Sequence, residues 1–196
     1  MQKGAQTRVA ILEQAVSMAG VFGLEGISIG RLASQAGMSK SGLFGHFGSK
    51  EALQQAILEF VVDDFKLKVI APALRESTGE ARLRQLFNRW LDWADQDFLT
   101  GGCPLMTASV ELDDRPGELR DYLVLQQESW LDAIRRMAQK AVADGVFCDG
   151  LDTKQFAFEF NSIGLGFNFA RRLLRDPRAR TRAHSAVDRL IQSAKT

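Results

Sequence analysis

The segment from Ser28 to Lys50 constrains this chain more than any other part of its sequence. It reads SIGRLASQAGMSKSGLFGHFGSK, which predicts two short amphipathic helices joined by a tight turn. Ser28 is placed to cap the first helix, because its side-chain oxygen can accept a backbone N–H left free at the helix start. Gly37 stands where that helix must end, in the left-handed conformation that glycine adopts readily. The pattern is that of a helix-turn-helix, whose second helix commonly lies in the major groove of DNA.

The second helix of this motif has an apolar side and an open side. Ser39 is placed to cap its start, and Leu43 and Phe47 form its apolar side. The open side is short, polar and low in bulk, so it can approach base edges or phosphates closely. It consists of Lys40, Ser41, Gly42, Phe44, Gly45 and His46.

Lys50 gives an independent argument for a phosphate-binding surface. It follows Ser49 at the start of a predicted long helix, where the macrodipole is positive and an exposed cation costs about 0.3–1 kcal/mol. A phosphate bound at the same helix start would reverse the sign of that term. Lys50 is therefore better explained as a phosphate ligand than as a stabilising residue. The alternative is a small helical subdomain with three tight turns and no partner, but the agreeing cap, glycine and lysine positions favour DNA binding.

The composition is that of an ordinary soluble globular protein. Hydrophobic residues make up 45% of the chain, no apolar run approaches a membrane span, and the N-terminus lacks a signal-peptide hydrophobic region. Cys103 and Cys148 predict no disulfide framework, which fits a reducing cytoplasm. Residues 1–50 carry five basic and two acidic side chains, so the positive end of the chain holds the helix-turn-helix. We expect a cytoplasmic protein with no membrane partner.

The periodic segments of the chain all predict helices, about nine of them, so the expected fold class is all-α. Three helices fall in residues 1–50, the predicted DNA-binding domain, and the others in residues 51–196. The first helix is predicted over residues 7–22, with Leu12, Ala15, Ala19 and Phe22 inward. Turn residues predict helix breaks at 77–79, 99–104, 113–117, 144–145 and 176–177.

Residues 7–53 resemble the N-terminal domain of the TetR/AcrR family of one-component transcriptional regulators. The segment FGSKEAL, residues 47–53, is the most specific piece, and residues 40–47 correspond to the family's recognition helix. The resemblance implies a three-helix helix-turn-helix domain followed by a C-terminal helical domain for ligand binding and dimerisation. It also implies a homodimeric repressor on a palindromic operator, released by an unidentified small-molecule effector.

Nine residues are expected to bind double-stranded DNA, and the resemblance implies DNA-contacting positions for six of them: Ser28, Lys40, Gly42, Phe44, His46 and Lys50. Lys40, Ser41 and Gly42 would face the bases, and His46 and Lys50 would contact phosphates. The predicted set is Ser28, Arg31, Ser39, Lys40, Ser41, Gly42, Phe44, His46 and Lys50.

Two positions of the recognition helix depart from the family pattern. Phe44 stands where the family most often has a tyrosine, so a hydroxyl-to-phosphate hydrogen bond is missing. Gly45 replaces a residue that is usually large. We expect lower affinity or selectivity than is usual in the family. Both changes remove contact groups from the open side of the recognition helix. They therefore also support the alternative function, a small-molecule sensor or carrier whose helix-turn-helix is a protein-interaction surface.

The eighth predicted helix carries aromatic residues on more than one face, which indicates burial both inside the protomer and against a second subunit. Its two glycines each cost about 1 kcal/mol of helix propensity relative to alanine, a loss that suits close helix packing. The resemblance implies that the last two helices form a four-helix dimer interface. The predicted dimer residues are Phe158, Gly164, Gly166 and Phe169, with ordinary core packing as the alternative.

Five residues from four predicted helices are candidates for an effector pocket: Trp90, Trp93, Met106, Trp130 and Asn161. Such a set can enclose an apolar cavity with few polar anchors, which favours a hydrophobic or aromatic effector. Plain core packing is the alternative for each aromatic side chain.

Residues that carry enzyme chemistry are scarce. The chain has two histidines, His46 and His184, and its two cysteines lack zinc spacing. No Ser/His/Asp set, metal-ligand cluster or phosphate loop emerges, so we predict no enzyme activity, metal or cofactor. The basic stretch over residues 171–189 is either a second nucleic-acid site or a solvated face, and nearby acidic residues favour the latter.

Overall fold

The structure, a computed structural model, describes residues 2–99 and 101–195. Within these ranges the chain forms nine helices and no strand, which confirms the predicted all-α class. The helices are α1 (Gln2–Phe22), α2 (Ile29–Gln35), α3 (Lys40–Phe47), α4 (Lys50–Phe65), α5 (Gly79–Ala94), α6 (Pro104–Glu111), α7 (Glu118–Ala143), α8 (Thr153–Arg172) and α9 (Ala179–Ser193). α4 continues directly into a π-helical turn, Lys66–Ile70, and a last α-helical turn, Ala71–Leu74.

The chain divides into two compact units. The first comprises the described residues up to Phe65 together with Ala94–Leu125, and the second comprises Lys66–Trp93 together with the described residues from Gln126 onward. Helices α1, α2, α3 and α6 therefore belong to the first unit, and α8 and α9 to the second. The domain boundary after residue 50 stays a prediction.

Helix α1 supplies much of the core of the first unit. It begins at Gln2, five residues before the predicted start, and it buries Leu12, Ala15 and Ala19 as its spacing predicts. Phe22 was expected to point inward, but it is 45% exposed. The reason is its place at the very end of α1, where the chain turns away at the next residue.

Helix α1 also meets the segment before α6 backbone to backbone. A Cβ added to Gly20 would lie 2.6 Å from the carbonyl carbon of Gly101. A Cβ added to Gly101 would lie 2.3 Å from the carbonyl oxygen of Ser17. Glycine at both positions therefore lets this segment lie directly on α1, which anchors α6 within the first unit.

Aromatic side chains form the core of the second unit. Phe87 of α5 contacts Trp90, Phe160 and His184 edge to face, with ring centroids 6.2, 5.4 and 5.9 Å apart. Edge-to-face pairs of this kind add about 0.5–1.5 kcal/mol each beyond the burial of their surface. The contacts of Phe87 thus hold α5, α8 and α9 together.

Candidate nucleic-acid interface

Both caps and the turn of the helix-turn-helix form as the sequence predicts. The Ser28 Oγ accepts a hydrogen bond from the Arg31 N–H at 3.4 Å, and the Ser39 Oγ accepts one from the Gly42 N–H at 3.0 Å. Gly37 has a φ of 63°, the left-handed conformation expected after α2. The side chains that fix the two helices in the unit are the buried Leu32, Ala33, Leu43 and Phe47.

The predicted DNA-binding residues are accessible to a partner. Gly42, His46 and Lys50 are half-buried, and the others are exposed: Ser28, Arg31, Ser39, Lys40, Ser41 and Phe44. A Cβ added to Gly45 would meet no atom of the described chain within 4 Å. The outer face of α3 is therefore open along most of its length.

Two arginines of the first unit lie over aromatic rings. The Arg31 guanidinium is 4.5 Å from the centroid of the Phe22 ring, and the Arg8 guanidinium is 5.0 Å from that of Phe47. Cation–π contacts at exposed sites are worth about 0.5–1 kcal/mol, and here they restrict two long side chains. Arg8, beside the end of α3, was not predicted, because its partner lies far away in the sequence.

Lys40 lies over the first turn of α2. A Cβ added to Gly30 would be 2.9 Å from the Lys40 Cε and 3.4 Å from its Nζ. Glycine at position 30 thus leaves the space that the lysine side chain occupies. The Lys40 side chain therefore lies close to the start of α2.

Lys50 has a partner that the sequence did not indicate. Its Nζ donates to the Glu25 carbonyl oxygen at 2.9 Å and to the Glu25 carboxylate at 3.1 Å. Lys50 is therefore a stabilising residue as well as a candidate phosphate ligand, contrary to the expectation from the helix start, because it also holds the turn between α1 and α2. Its side chain is still 35% exposed, and an ammonium has three N–H donors, so one remains for an anion.

The Glu25 carboxylate is ionised as part of the same contact. Hydrogen bonds from Gln54 and Lys50 hold the pKa of Glu25 below its ordinary value. Gln54 is buried, and its amide Nε2 lies 3.1 Å from the Glu25 carboxylate and 3.0 Å from the Leu24 carbonyl oxygen. Two side chains of α4, Lys50 and Gln54, therefore bind the turn between α1 and α2. They lie four residues apart on α4.

Four of the five predicted pocket residues lie in the second unit, whereas Met106 lies in the first. Trp90, Trp93 and Trp130 are buried, and the rings of Trp90 and Trp130 meet edge to face with centroids 5.1 Å apart. The Trp130 indole N–H donates to the Asn161 Oδ1 at 2.9 Å. The structure thus brings Trp90, Trp130 and Asn161 together.

The predicted dimer residues lie on different sides of α8. Phe158 and Phe169 are 63% and 54% exposed, and a Cβ added to Gly166 would meet no described atom within 4 Å. Gly164 is buried, and a Cβ there would lie 2.0 Å from the Trp90 ring. Its assignment to the dimer interface is corrected accordingly, because glycine at 164 makes room for Trp90 inside the protomer.

Thiols and carboxylates give no sign of a metal site in the described part of the chain. No three His, Cys, Asp or Glu side chains there are grouped so that they could hold an ion. Cys103 and Cys148 are free thiols, and burial raises the pKa of Cys103. None of the described helices combines the length and apolar character needed to span a membrane.

Two family models match the chain. Residues 11–57 match the model for bacterial regulatory proteins of the tetR family, and residues 79–187 match the model for the tetracyclin repressor-like C-terminal domain. The nucleoid occlusion factor SlmA of Marinomonas sp. (strain MWYL1) is 30% identical over 84 residues, 43% of this chain and 42% of that protein. The match to this curated relative thus spans less than half of its length.

Solved structures share the fold. A TetR transcriptional regulator from Chloroflexus aurantiacus J-10-FL has a TM-score of 0.85 and 24% identity, over 98% of this chain and 96% of that one. AibR, solved in complex with isovaleryl coenzyme A and operator DNA, has a TM-score of 0.73 and 22% identity, over 96% and 98%. The second family model alone covers more than half of the sequence. This chain therefore belongs to the TetR family of bacterial regulatory proteins, which are DNA-binding regulators and not enzymes.

Proposed function

We propose that this protein is a homodimeric repressor that binds a palindromic operator and leaves it when a small apolar or aromatic effector binds. The observation that carries the proposal is the open face of α3, where Lys40 and Ser41 are exposed and Gly45 adds no bulk. Arg31 and Lys50 flank it as restrained cations. A helix of this kind fits the major groove, and flanking cations fit the phosphates on either side.

The exposed aromatic side chains of α8 support the homodimer. Phe158 and Phe169 each leave more than half of their surface uncovered in the protomer. Apolar patches of this kind on a soluble protein commonly mark an interface. A two-fold dimer presents the same face twice and carries two recognition helices, which matches the two halves of a palindrome.

The aromatic cluster of the second unit supports an apolar or aromatic effector. Trp90 and Trp130 supply large apolar surfaces, and Asn161 supplies one amide beside them. AibR, which is similar in fold, is known in complex with isovaleryl coenzyme A and operator DNA, which supports small-molecule binding by this fold and does not bear on the apolar character of the effector. An effector releases operator DNA only if it binds the DNA-free state more tightly than the DNA-bound state.

Lys50→Ala tests the phosphate contact on an operator selected from a random duplex library. We expect about tenfold weaker binding and a slope of log affinity against log salt that falls by about one unit, because one phosphate contact is lost. Fluorescence anisotropy between about 50 and 200 mM salt measures both quantities. Lys68→Ala, which removes an exposed lysine of the π-helical turn after α4, is the matched control and should change neither.

Two results would count against these proposals. If Lys50→Ala leaves affinity and slope unchanged, Lys50 does not bind a phosphate. If the folded, dimeric protein selects no duplex at all, with or without candidate effectors, the motif does not bind DNA and the protein-interaction alternative gains.

Gly45→Ala separates helix stability from DNA contact. An exposed helical alanine is favoured over glycine by about 0.5–1 kcal/mol, so the free protein should become slightly more stable. Operator affinity should rise by up to about threefold, because the added methyl group restores part of the side chain whose absence is expected to weaken DNA binding. Urea unfolding and anisotropy measure the two effects, with Ser34→Ala on the exposed side of α2 as the control. A loss of operator affinity of about tenfold or more in Gly45→Ala would show that α3 has no room for a side chain against DNA at this position, and the expected weakening by Gly45 would then be wrong.

A further inference from the structure

The turn between α1 and α2 is bound by a carboxylate from α6. Glu111 is the last residue of α6, and its Oε2 accepts a hydrogen bond from the Leu24 N–H at 2.7 Å. Its Oε1 accepts one from the Glu25 N–H at 2.9 Å. Two successive backbone N–H groups aimed at one anion form a concave anion-binding site. Because each oxygen takes one N–H, the carboxylate is fixed in position and in rotation.

Gly23 makes this approach possible. Its φ is 75°, and a Cβ at this position would lie 2.9 Å from both oxygens of Glu111. Glycine therefore supplies the left-handed backbone ahead of the two N–H groups and the space that the carboxylate occupies.

Side chains of α4 bind the other side of the same turn. The Gln54 amide donates to the Leu24 carbonyl oxygen at 3.0 Å, and the Lys50 ammonium donates to the Glu25 carbonyl oxygen at 2.9 Å. The N–H and C=O groups of Leu24 and Glu25 are thus all bound by side chains from α4 or α6. The Lys50 side chain is oriented by a backbone atom whose neighbouring N–H groups are held by Glu111.

The place of Glu111 in its helix is unfavourable unless the turn holds it. A carboxylate in the last turn of a helix faces the negative end of the macrodipole. The two N–H groups of the turn offset that repulsion with charge-assisted hydrogen bonds. The backbone of Gly101 lies directly on α1 at Ser17, so α6 starts from a fixed point on the helix that the turn follows.

We propose that Glu111 is a positioning residue for DNA binding. Through the turn between α1 and α2 it holds Glu25, and thereby Lys50, in the geometry that meets a DNA phosphate. The proposal rests on the phosphate role of Lys50 given above. By this proposal α6 is the element that orders the turn between α1 and α2. Helix α6 lies inside the C-terminal family match over residues 79–187.

A double-mutant cycle on the selected operator duplex tests the proposal. Glu111→Ala should weaken binding about fivefold to tenfold in the wild-type background and should have no further effect in the Lys50→Ala background. Glu111→Gln keeps one acceptor oxygen and should fall between wild type and Glu111→Ala. Asp114→Asn, at an exposed carboxylate three residues away, controls for loss of negative charge and should change affinity less than twofold.

Amide hydrogen exchange gives a readout that needs no DNA. The Leu24 and Glu25 amides should exchange about tenfold or more faster in Glu111→Ala. The Met38 amide, bonded to the Ala33 carbonyl oxygen, should keep its rate as an internal control.

Each failure of the proposal has a distinct signature. Equal losses of DNA affinity in both backgrounds would show a general structural role for Glu111 and overturn the positioning role. Unchanged exchange rates of the Leu24 and Glu25 amides would show that the Glu111 carboxylate does not hold these two N–H groups. If the wild-type protein binds no duplex, the proposed function fails, and the exchange experiment still decides whether Glu111 orders the turn.

Discussion

Replacing Phe169 with glutamate is expected to convert the proposed homodimer to a monomer and to reduce operator affinity by at least about 100-fold. The Phe169 side chain is exposed in the protomer, as are Phe158 and Leu165. Spacings of seven and eleven residues from Phe158 place these three side chains on one side of α8. A carboxylate buried at the centre of such an interface loses its water without gaining a partner, which strongly disfavours association.

The effect on DNA follows from the loss of the second recognition helix. A dimer binds the second half-site at the high effective concentration that the first contact creates. A monomer has one α3 and meets only half of the palindrome. The loss of affinity should therefore exceed that of any single contact on α3.

Sedimentation velocity and anisotropy on the selected operator measure the two outcomes. Leu67→Glu is the matched control, because Leu67 is 69% exposed in the π-helical turn that follows α4 and lies off the α8 face. It should remain dimeric and bind DNA as the wild type does. A Phe169→Glu protein that stays dimeric would show that the interface lies elsewhere.

Features of the helix-turn-helix that depend on neighbours in sequence could be predicted. The caps at Ser28 and Ser39 join atoms three residues apart, and the left-handed Gly37 serves the helix that it follows. A serine oxygen at a helix start has few other hydrogen-bond donors within reach, so the residue type and its position suffice to predict the cap. The all-α class follows from the same short-range periodicity.

Contacts between distant parts of the chain could not be predicted in the same way. Glu25 and Lys50 are 25 residues apart, and nothing in either local pattern indicates the other. A glycine inside a helix, such as Gly164, indicates a close helix contact, but only the fold shows that Trp90 is its neighbour. Phe22 fits the apolar stripe of α1, yet the chain turns before the ring can be covered. Periodicity predicts which side of a helix is apolar and does not identify its partner.

Gly79→Ala is expected to lower the free energy of unfolding by about 3 kcal/mol, although Gly79 looks like a simple helix breaker in the sequence. A Cβ at this position would lie 2.1 Å from the Ala141 nitrogen and 2.6 Å from the Met137 carbonyl oxygen. Both atoms are backbone of α7, so no rotamer change can relieve the overlap. The two helices must move apart, which also strains the 2.7 Å hydrogen bond from the Gly79 N–H to the Asp144 carboxylate.

Urea unfolding at neutral pH and thermal unfolding measure the loss, which corresponds to a fall in Tm of roughly 6–12 °C for a chain of this size. Gly150→Ala is the matched control, since a Cβ there would meet no described atom within 4 Å, and its unfolding energy should stay within about 0.5 kcal/mol of wild type. The contrast tests whether close backbone approach, and not the loss of a flexible residue, determines the effect. A Gly79→Ala protein as stable as Gly150→Ala would mean that α5 and α7 can separate at no cost, and the close packing of α5 on α7 would then contribute nothing to stability.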